Sequence, residues 1–221
     1  MLESFGADID IKKNGSETSI IINGKQELIS KNIDVPSDLS SSAFFIVAAL
    51  INEGSKISMS NININPTRDG ILKALKKMGA NINIKNFRTL SGEIVADIDV
   101  EYSKLSGCEL DAEMAKLMID EYPILSVAAA FANGPSLFKG LKELKVKESD
   151  RLELIKLNLI NCGCECEVIN DDLLIKPTKN YKPFDKNIRT DFDHRIAMAF
   201  TVMGSKIGGL FIEDAESINT S

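Results

Sequence analysis

The chain has 221 residues, of which 44% are hydrophobic and 26% charged, and its formal net charge is −6 at pH 7. This is the composition of a globular protein with one large or two small domains, and the acidic balance gives no indication of nucleic-acid binding. No apolar run is long enough to span a bilayer, and the opening "MLESFGADID" lacks the basic and apolar regions of a signal peptide. We therefore expect a cytoplasmic protein that binds neither nucleic acid nor membranes.

Three segments share one pattern, in which a glycine follows a helical run and leads into alternation at every second residue. They are "SFGADIDIKK" (4–13), "KMGANINIKN" (77–86) and "NCGCECEVIN" (161–170). A glycine in this position is typical of a helix end, and the alternation is typical of a half-buried strand. The sequence therefore predicts helix-to-strand turns at Gly6, Gly79 and Gly163.

A linker is predicted after the first of these segments. Residues 30–40, "SKNIDVPSDLS", have no periodicity and contain Pro36. We expect residues 1–33 to finish one domain and residues 34–221 to form most of a second one. The chain also begins and ends in the middle of a repeated unit, so we expect it to be part of a longer protein.

The second predicted domain contains three alanine-rich helical segments, each opened by polar or acidic residues and followed by a glycine and a strand. They lie within residues 37–62, 119–141 and 192–214. A helix that is apolar nearly all round is a buried helix. Amphipathic helices are predicted after the first two, at 67–80 and 149–163.

The repeated unit is therefore helix, strand, helix, strand and a hairpin strand, about 80 residues long. Units of this kind share a core with their neighbours. The sequence predicts an α/β (α+β) fold of repeated units around buried helices.

The cysteines at 162, 164 and 166 form a C-x-C-x-C pattern. Metal binding is one interpretation, but alternation along a strand explains the spacing equally well. No nearby pair of cysteine or histidine residues completes four ligands, so we favour structural cysteines.

The stretch "KVKESDRLELI" (145–155) mixes charges of both signs at the predicted start of a helix. Ser149 or Asp150 is a candidate N-cap, with Glu153 placed as in a capping box. Capping leaves three charged neighbours unexplained.

These neighbours are Lys147, Glu148 and Arg151. Basic residues oppose the dipole at a helix N-terminus, unless an anion binds to the free N–H groups there. The alternatives are a solvated helix start and a site for a phosphate or carboxylate.

A similar mixture opens the last buried helix, in "DFDHRIAM" (191–198). His194 is the only histidine of the chain and has either a structural or a catalytic role. Arg195 must pair with Asp191 or Asp193, or face a ligand, because an apolar helix cannot bury it alone.

The second buried helix is preceded by Asp120, which is either an N-cap or a functional carboxylate. Because the repeats are equivalent, the helix entrances share one end of the fold and their charged residues can converge. The converging set is Asp120, Lys147, Glu148, Arg151, Asp193, His194 and Arg195. It has no metal-ligand spacing, P-loop or dinucleotide fingerprint, and suits cofactor-free acid/base chemistry on a multiply anionic substrate.

Three motifs resemble those of the 5-enolpyruvylshikimate-3-phosphate synthase (3-phosphoshikimate 1-carboxyvinyltransferase) family. They are "IDEYPILSVAAAFANG" (119–134), "KVKESDRL" (145–152) and "DFDHRIAMAF" (191–200), in the order of the family. The resemblance implies an enolpyruvyl transferase-like fold, with two domains that each contain three βαβαββ-type repeats. It also implies a reaction of the shikimate pathway to chorismate and the aromatic amino acids. In that reaction the enolpyruvyl group of phosphoenolpyruvate is transferred to the 5-hydroxyl of shikimate 3-phosphate, with loss of phosphate.

The resemblance assigns catalytic roles to two carboxylates. Glu148 is similar to the residue that donates and accepts the proton at the enolpyruvyl carbon. Asp120 is similar to the residue that binds the shikimate hydroxyls and acts as a base. Lys147 resembles the lysine that contacts shikimate 3-phosphate and the reacting oxygen.

The remaining residues of the set are implied to bind or support substrate. Arg151 and Arg195 resemble the arginines that hold phosphoenolpyruvate, while Asp193 and His194 lie beside them. The resemblance implies no cofactor or metal, and a monomeric full-length enzyme.

The contacts of the family's N-terminal domain have no counterpart in this chain, so we expect the chain alone to be inactive. A related transferase acting on UDP-N-acetylglucosamine is an alternative, although its cysteine-bearing loop is not seen. A non-catalytic anion-binding domain is the other alternative.

Overall fold

The computed structural model describes residues 2–15, 17–181 and 187–220. Met1 and Ser221, the outer limits of the two predicted domains, lie outside these ranges. None of the described helices is long and apolar enough to cross a membrane.

The first part of the chain is a hairpin that stands apart from the repeats. Strand β1 (Ile9–Asn14) pairs antiparallel with β2 (Glu17–Ile22), after a 3-10 helix at Leu2–Phe5. Almost every described residue of the hairpin is exposed. Residues 23–36 form neither helix nor strand, and the helix that begins at Leu39 includes the last two residues of the predicted linker, 30–40.

The first complete unit contains helix α1 (Leu39–Ile51), strand β3 (Lys56–Asn63), helix α2 (Gly70–Lys77) and strands β4 (Asn81–Leu90) and β5 (Glu93–Glu101). The hairpin strand β5 lies between β3 and β4 and is antiparallel to both. The order of elements is the predicted one.

The second unit repeats this topology. It contains β6 (Glu109–Leu110), α3 (Ala112–Met118), α4 (Tyr122–Ala130), β7 (Ser136–Phe138), α5 (Arg151–Asn161), β8 (Glu165–Ile169) and β9 (Asp172–Lys176). Strand β9 lies between β7 and β8 and is antiparallel to both, while the short β6 extends the sheet beside β7. A third unit begins with α6 (His194–Ile207).

The core is built by the three alanine-rich helices. Helices α1, α4 and α6 pack against one another, and all nine residues of α4 are buried. The prediction of buried helices, made from their lack of a polar face, is confirmed. Small residues such as Ala128 and Ala129, both fully buried, let these helices pack closely.

The amphipathic helices α2 and α5 also form where the sequence predicts them. The glycines that end helical runs, Gly6, Gly79 and Gly163, have φ of +89°, +85° and +88°. Glycine adopts this left-handed conformation without steric cost, so the chain can turn from helix to strand there.

The cysteines take a structural position, with one correction to the predicted pattern. Only Cys164 and Cys166 alternate along the β8 segment, because Cys162 is the C-cap of α5. Burial raises the pKa of Cys162 to about 11 and that of Cys164 and Cys166 to about 12. Thiols of such high pKa stay protonated and pack as small apolar groups.

Candidate active site

The entrances of the buried helices meet at one end of the fold, as the equivalence of the repeats predicts. Ser40 at the start of α1 hydrogen-bonds Glu121 ahead of α4, and Arg195 in the first turn of α6 contacts the same glutamate. The first turn of α5 joins them through Arg151. All seven residues of the predicted set lie in or beside this cluster.

Three of the helix starts use aspartate caps, which are Asp38 at α1, Asp150 at α5 and Asp193 at α6. Asp38 caps α1 by accepting from Ser41 N at 2.7 Å. Asp150 caps α5 by accepting from Glu153 N at 3.0 Å. The predicted capping box is only half formed, because the Glu153 carboxylate pairs with Lys156 instead.

Asp120 is not a cap. It lies in a 3-10 turn, Ile119–Glu121, that precedes α4, and Pro123 stands in the first turn of that helix. Pro has no N–H to be capped. The Asp120 side chain instead reaches across to the start of α5.

Arg151 is the centre of the cluster and its side chain is 0% exposed. Its three guanidinium nitrogens each donate to a different carboxylate. Nε donates to Asp193 Oδ2 at 2.8 Å, Nη1 to Asp120 Oδ1 at 3.0 Å and Nη2 to Glu148 Oε2 at 2.6 Å. A buried charge is tolerated only when it is paired in this way.

Asp193 joins the guanidinium to the N-terminus of α6. Its Oδ1 accepts from the backbone N–H of Arg195 at 2.9 Å, while its Oδ2 accepts from Arg151 and from Ser149 Oγ. Burial alone would raise the pKa of Asp193, but these donors and the charge of Arg151 outweigh it and lower the pKa. Asp193 is therefore an ionised, fully buried carboxylate.

The turn before α6 has an unusual backbone. Asp191 and Phe192 both have positive φ, +49° and +61°, a conformation that costs free energy for residues other than glycine. Arg189 holds Asp191 from outside with two hydrogen bonds, at 2.7 and 3.0 Å. This turn aims Asp193 at Arg151.

The Arg195 guanidinium pairs with neither of the two nearby aspartates, so of the three alternatives only the one in which it faces a ligand stays open. Asp191 pairs with Arg189 and Asp193 with Arg151, so neither is available to it. Its Nη1 lies 3.7 Å from Glu121 Oε1 and donates to the backbone carbonyl of Asp120 at 3.3 Å.

Asp120 lies between cations. Lys147 Nζ is 3.1 Å from its Oδ1, and Arg151 donates to the same oxygen. Burial would raise the pKa of Asp120, but Lys147, Arg195 and Arg151 together lower it. Asp120 is therefore a carboxylate at neutral pH, able to accept hydrogen bonds.

The other predicted residues lie at the surface of the cluster. The side chain of Glu148 is 54% exposed, the highest exposure among the three carboxylates that Arg151 binds. Lys147 and Arg195 are partly exposed, and the half-buried His194 is the first residue of α6. The cluster thus offers two accessible cations and one accessible carboxylate, which suits an anionic ligand and proton transfer.

Sequence reasoning missed the roles of Ser149 and Glu121. Both stand among plausible capping residues, so their spacing predicts caps rather than contacts across the cluster. Within the described ranges, no group of three or more histidine, cysteine, aspartate or glutamate residues is placed to hold a metal ion.

A family model described as EPSP synthase (3-phosphoshikimate 1-carboxyvinyltransferase) matches residues 1–221. Relatives named 3-phosphoshikimate 1-carboxyvinyltransferase from Paramagnetospirillum magneticum and Rhizobium johnstonii are 44% and 43% identical to the chain. Each match covers 100% of this chain and 50% of the relative. The chain therefore spans about half the length of the curated relatives it matches.

Solved structures give the same picture. An EPSP synthase from Acinetobacter baumannii superimposes with a TM-score of 0.88 at 37% identity, over 99% of this chain and 50% of that one. The enolpyruvyl transferase NikO from Streptomyces tendae, at 18% identity and a TM-score of 0.69, shares the fold. The prediction of an enolpyruvyl transferase-like fold is confirmed.

The pairing of Arg151 with Asp193 predicts how stability depends on pH. The folded-state pKa of Asp193 is lowered below its unfolded value of about 4. Its contribution to stability is therefore present above that pH and lost as the pH falls through the folded pKa.

Asp193→Asn should lower the free energy of unfolding at pH 7 by about 3–5 kcal/mol, because it leaves a buried cation undercompensated.

Urea unfolding between about pH 7 and pH 3 measures both effects. The variant should lose less stability on acidification than the wild type does. Asp10→Asn, at an exposed aspartate of the hairpin, is the control and should change stability by less than about 0.5 kcal/mol. Equal acid sensitivity of wild type and Asp193→Asn would contradict the assignment.

Proposed function

Because the chain belongs to the EPSP synthase family, we propose that it forms one half of an enzyme that makes 5-enolpyruvylshikimate 3-phosphate. The enolpyruvyl group of phosphoenolpyruvate is transferred to the 5-hydroxyl of shikimate 3-phosphate. The observation that carries the proposal is that Asp120 and Glu148 bind one buried guanidinium, while Lys147 and Arg195 both contact Asp120.

The reaction needs acid/base groups and cations, and the cluster supplies both. The 5-hydroxyl oxygen adds to C2 of phosphoenolpyruvate while C3 takes up a proton, which gives a tetrahedral intermediate. Loss of a proton from C3 and of phosphate from C2 then restores the double bond. Both substrates are anionic, so cations at the site stabilise them and the charge that develops.

We assign the proton transfers at C3 to Glu148, the most accessible carboxylate around Arg151. Asp120 is ionised at neutral pH because nearby cations lower its pKa, so it suits the binding of substrate hydroxyls and the acceptance of a proton. Lys147, on Asp120 Oδ1, would meet both the phosphate of shikimate 3-phosphate and the reacting oxygen.

Of the two arginines, Arg195 is the partly exposed one and is assigned to phosphoenolpyruvate. Contact of Arg151 with phosphoenolpyruvate stays a prediction. Its guanidinium is buried under three carboxylates, so such contact requires Glu148 or Asp120 to move when substrate binds. Asp193 supports both arginines from the start of α6, because it accepts from Arg151 Nε and from the backbone N–H of Arg195. A supporting role of His194 stays a prediction.

We assign the remaining substrate contacts to a second domain, equivalent to the half of the relatives that this chain does not cover. The hairpin and the segments on either side of it expose large apolar side chains, namely Leu2, Ile11, Ile20, Ile21, Ile22, Leu28 and Ile29. A two-stranded hairpin is marginally stable alone in water, and exposed large apolar side chains in such number are typical of an interface. We propose that residues 1–33 belong to that first domain and residues 34–221 to the second.

A phosphate-release assay tests the proposed function. The chain is assayed with phosphoenolpyruvate and shikimate 3-phosphate, alone and mixed with the N-terminal half of the Paramagnetospirillum magneticum relative. The mixture should release phosphate and the chain alone should not, because closure of two domains over the substrates excludes water. Turnover by the chain alone would refute the need for a second domain, and phosphate release with UDP-N-acetylglucosamine in place of shikimate 3-phosphate would refute the acceptor.

A carboxamide at position 148 tests the acid/base assignment in the reconstituted mixture. Glu148→Gln keeps the size of the side chain but cannot transfer a proton, so kcat should fall at least about 100-fold while KM changes by less than about 3-fold. Glu153→Gln, at an equally exposed glutamate of the same helix entrance, is the matched control. A kcat that falls equally in both variants, or not at all in Glu148→Gln, would contradict the assignment.

A further inference from the structure

Glu121 is a buried carboxylate to which the proposed function gives no role. Its side chain is 2% exposed, and its Oε2 has no hydrogen-bond partner among the described residues. Burial raises its pKa, against the opposing effects of Ser40, Arg195 and Arg68. A carboxylate kept at this depth needs a physical reason, because its desolvation is costly.

Its contacts connect the entrances of three helices. Oε1 accepts a hydrogen bond from Ser40 Oγ and lies 3.7 Å from Arg195 Nη1. Arg68, in the turn before α2, donates to the same Ser40 hydroxyl at 3.1 Å. A continuous polar chain thus runs from Arg68 through Ser40 and Glu121 to Arg195.

The geometry at Arg195 shows what this chain does to the guanidinium. Nη1 donates to the carbonyl of Asp120 at 3.3 Å and lies at ion-pair distance, 3.7 Å, from Glu121 Oε1. An unheld arginine has several rotamers of similar energy, and freezing one of them on ligand binding costs conformational entropy. A guanidinium fixed before the ligand arrives avoids that cost. Arg195 is partly exposed and therefore accessible to an anion, whereas Arg151 is buried.

Glu121 does not reach the accessible surface of the cluster, so it acts through Arg195. Asp120, the residue before it, presents its side chain to Lys147 and Arg151 instead. The two adjacent acidic residues of one 3-10 turn therefore face different cations, Asp120 facing Lys147 and Arg151 and Glu121 facing Arg195.

We propose that Glu121 is a positioning residue, which holds the Arg195 guanidinium in the orientation that receives the anionic enolpyruvyl donor, and that Ser40 and Arg68 hold Glu121 in turn. The inference rests on the proposed function for the identity of the anion only. The orientation of Arg195 by Glu121 is a property of the chain itself.

The first test uses the reconstituted enzyme. Glu121→Gln keeps the shape and a hydrogen-bond acceptor for Ser40 but removes the charge opposite Arg195. The KM for phosphoenolpyruvate should rise about 10-fold, while kcat and the KM for shikimate 3-phosphate change by less than about 3-fold. Ser40→Ala should shift the same KM in the same direction by a smaller factor.

Two further variants separate positioning from a general loss of structure. In an Arg195→Lys background, Glu121→Gln should change the KM for phosphoenolpyruvate by less than about 2-fold, because the group it positions is gone. Glu113→Gln, at an exposed glutamate of α3 paired with Lys116, should have no effect. A fall in kcat with an unchanged KM, or the same effect of Glu121→Gln with and without Arg195, would overturn the inference.

A second measurement needs no turnover. The order of the Arg195 Nε–Hε bond vector can be measured by NMR relaxation on the chain, with and without inorganic phosphate as an anionic probe. Glu121→Gln should lower the order parameter of Arg195 and weaken phosphate binding several-fold, while Arg151 stays ordered. An equally ordered Arg195 in both proteins would overturn the inference.

If the reconstituted wild type releases no phosphate, the proposed function fails and this measurement still decides the role of Glu121.

Discussion

The buried guanidinium of Arg151 is the constraint on which the rest of the site depends. A cation removed from water needs compensation, since an unpaired one would cost several kcal/mol. The compensation comes from three segments: the 3-10 turn before α4, the loop before α5 and the cap of α6, which contribute Asp120, Glu148 and Asp193. The same contacts that hold these helix entrances together also assemble the candidate active site.

The arrangement divides the charged residues into a buried layer and an accessible one. Arg151, Asp193 and Glu121 form the buried layer, where each group is fixed by hydrogen bonds or by a facing charge. Lys147, Glu148 and Arg195 form the accessible layer. Because the positive ends of the α1, α4 and α6 dipoles meet at this end of the fold, the backbone adds to the attraction for an anion.

Much of the fold could be predicted from the sequence, because helix and strand periods and the closing glycines are local signals. The convergence of the charged entrances also follows from the equivalence of the repeats. The individual ion pairs within the cluster could not be predicted from the sequence, because they depend on rotamers and on packing between distant segments. Arg151 and Asp193 are 42 residues apart, and the sequence offers Arg195 two nearer aspartates than Glu121.

Two residues show why short-range spacing misleads at such a site. Ser149 has the spacing of an N-cap, yet Asp150 takes that role and Ser149 donates to Asp193. Glu121 stands at the start of a helix but makes no side-chain cap there. In both cases a contact across the cluster replaces the local one, which only the packed helices can reveal.

The most direct measurement is a double-mutant cycle between Arg151 and Asp193, with the free energy of unfolding at pH 7 determined for the wild type, Arg151→Met, Asp193→Asn and the double variant. Each single change should cost about 3–5 kcal/mol, because each leaves a buried charge uncompensated. The double variant should be more stable than the sum of the single changes predicts, by at least about 2 kcal/mol. Additivity within about 0.5 kcal/mol would contradict the central place of this ion pair.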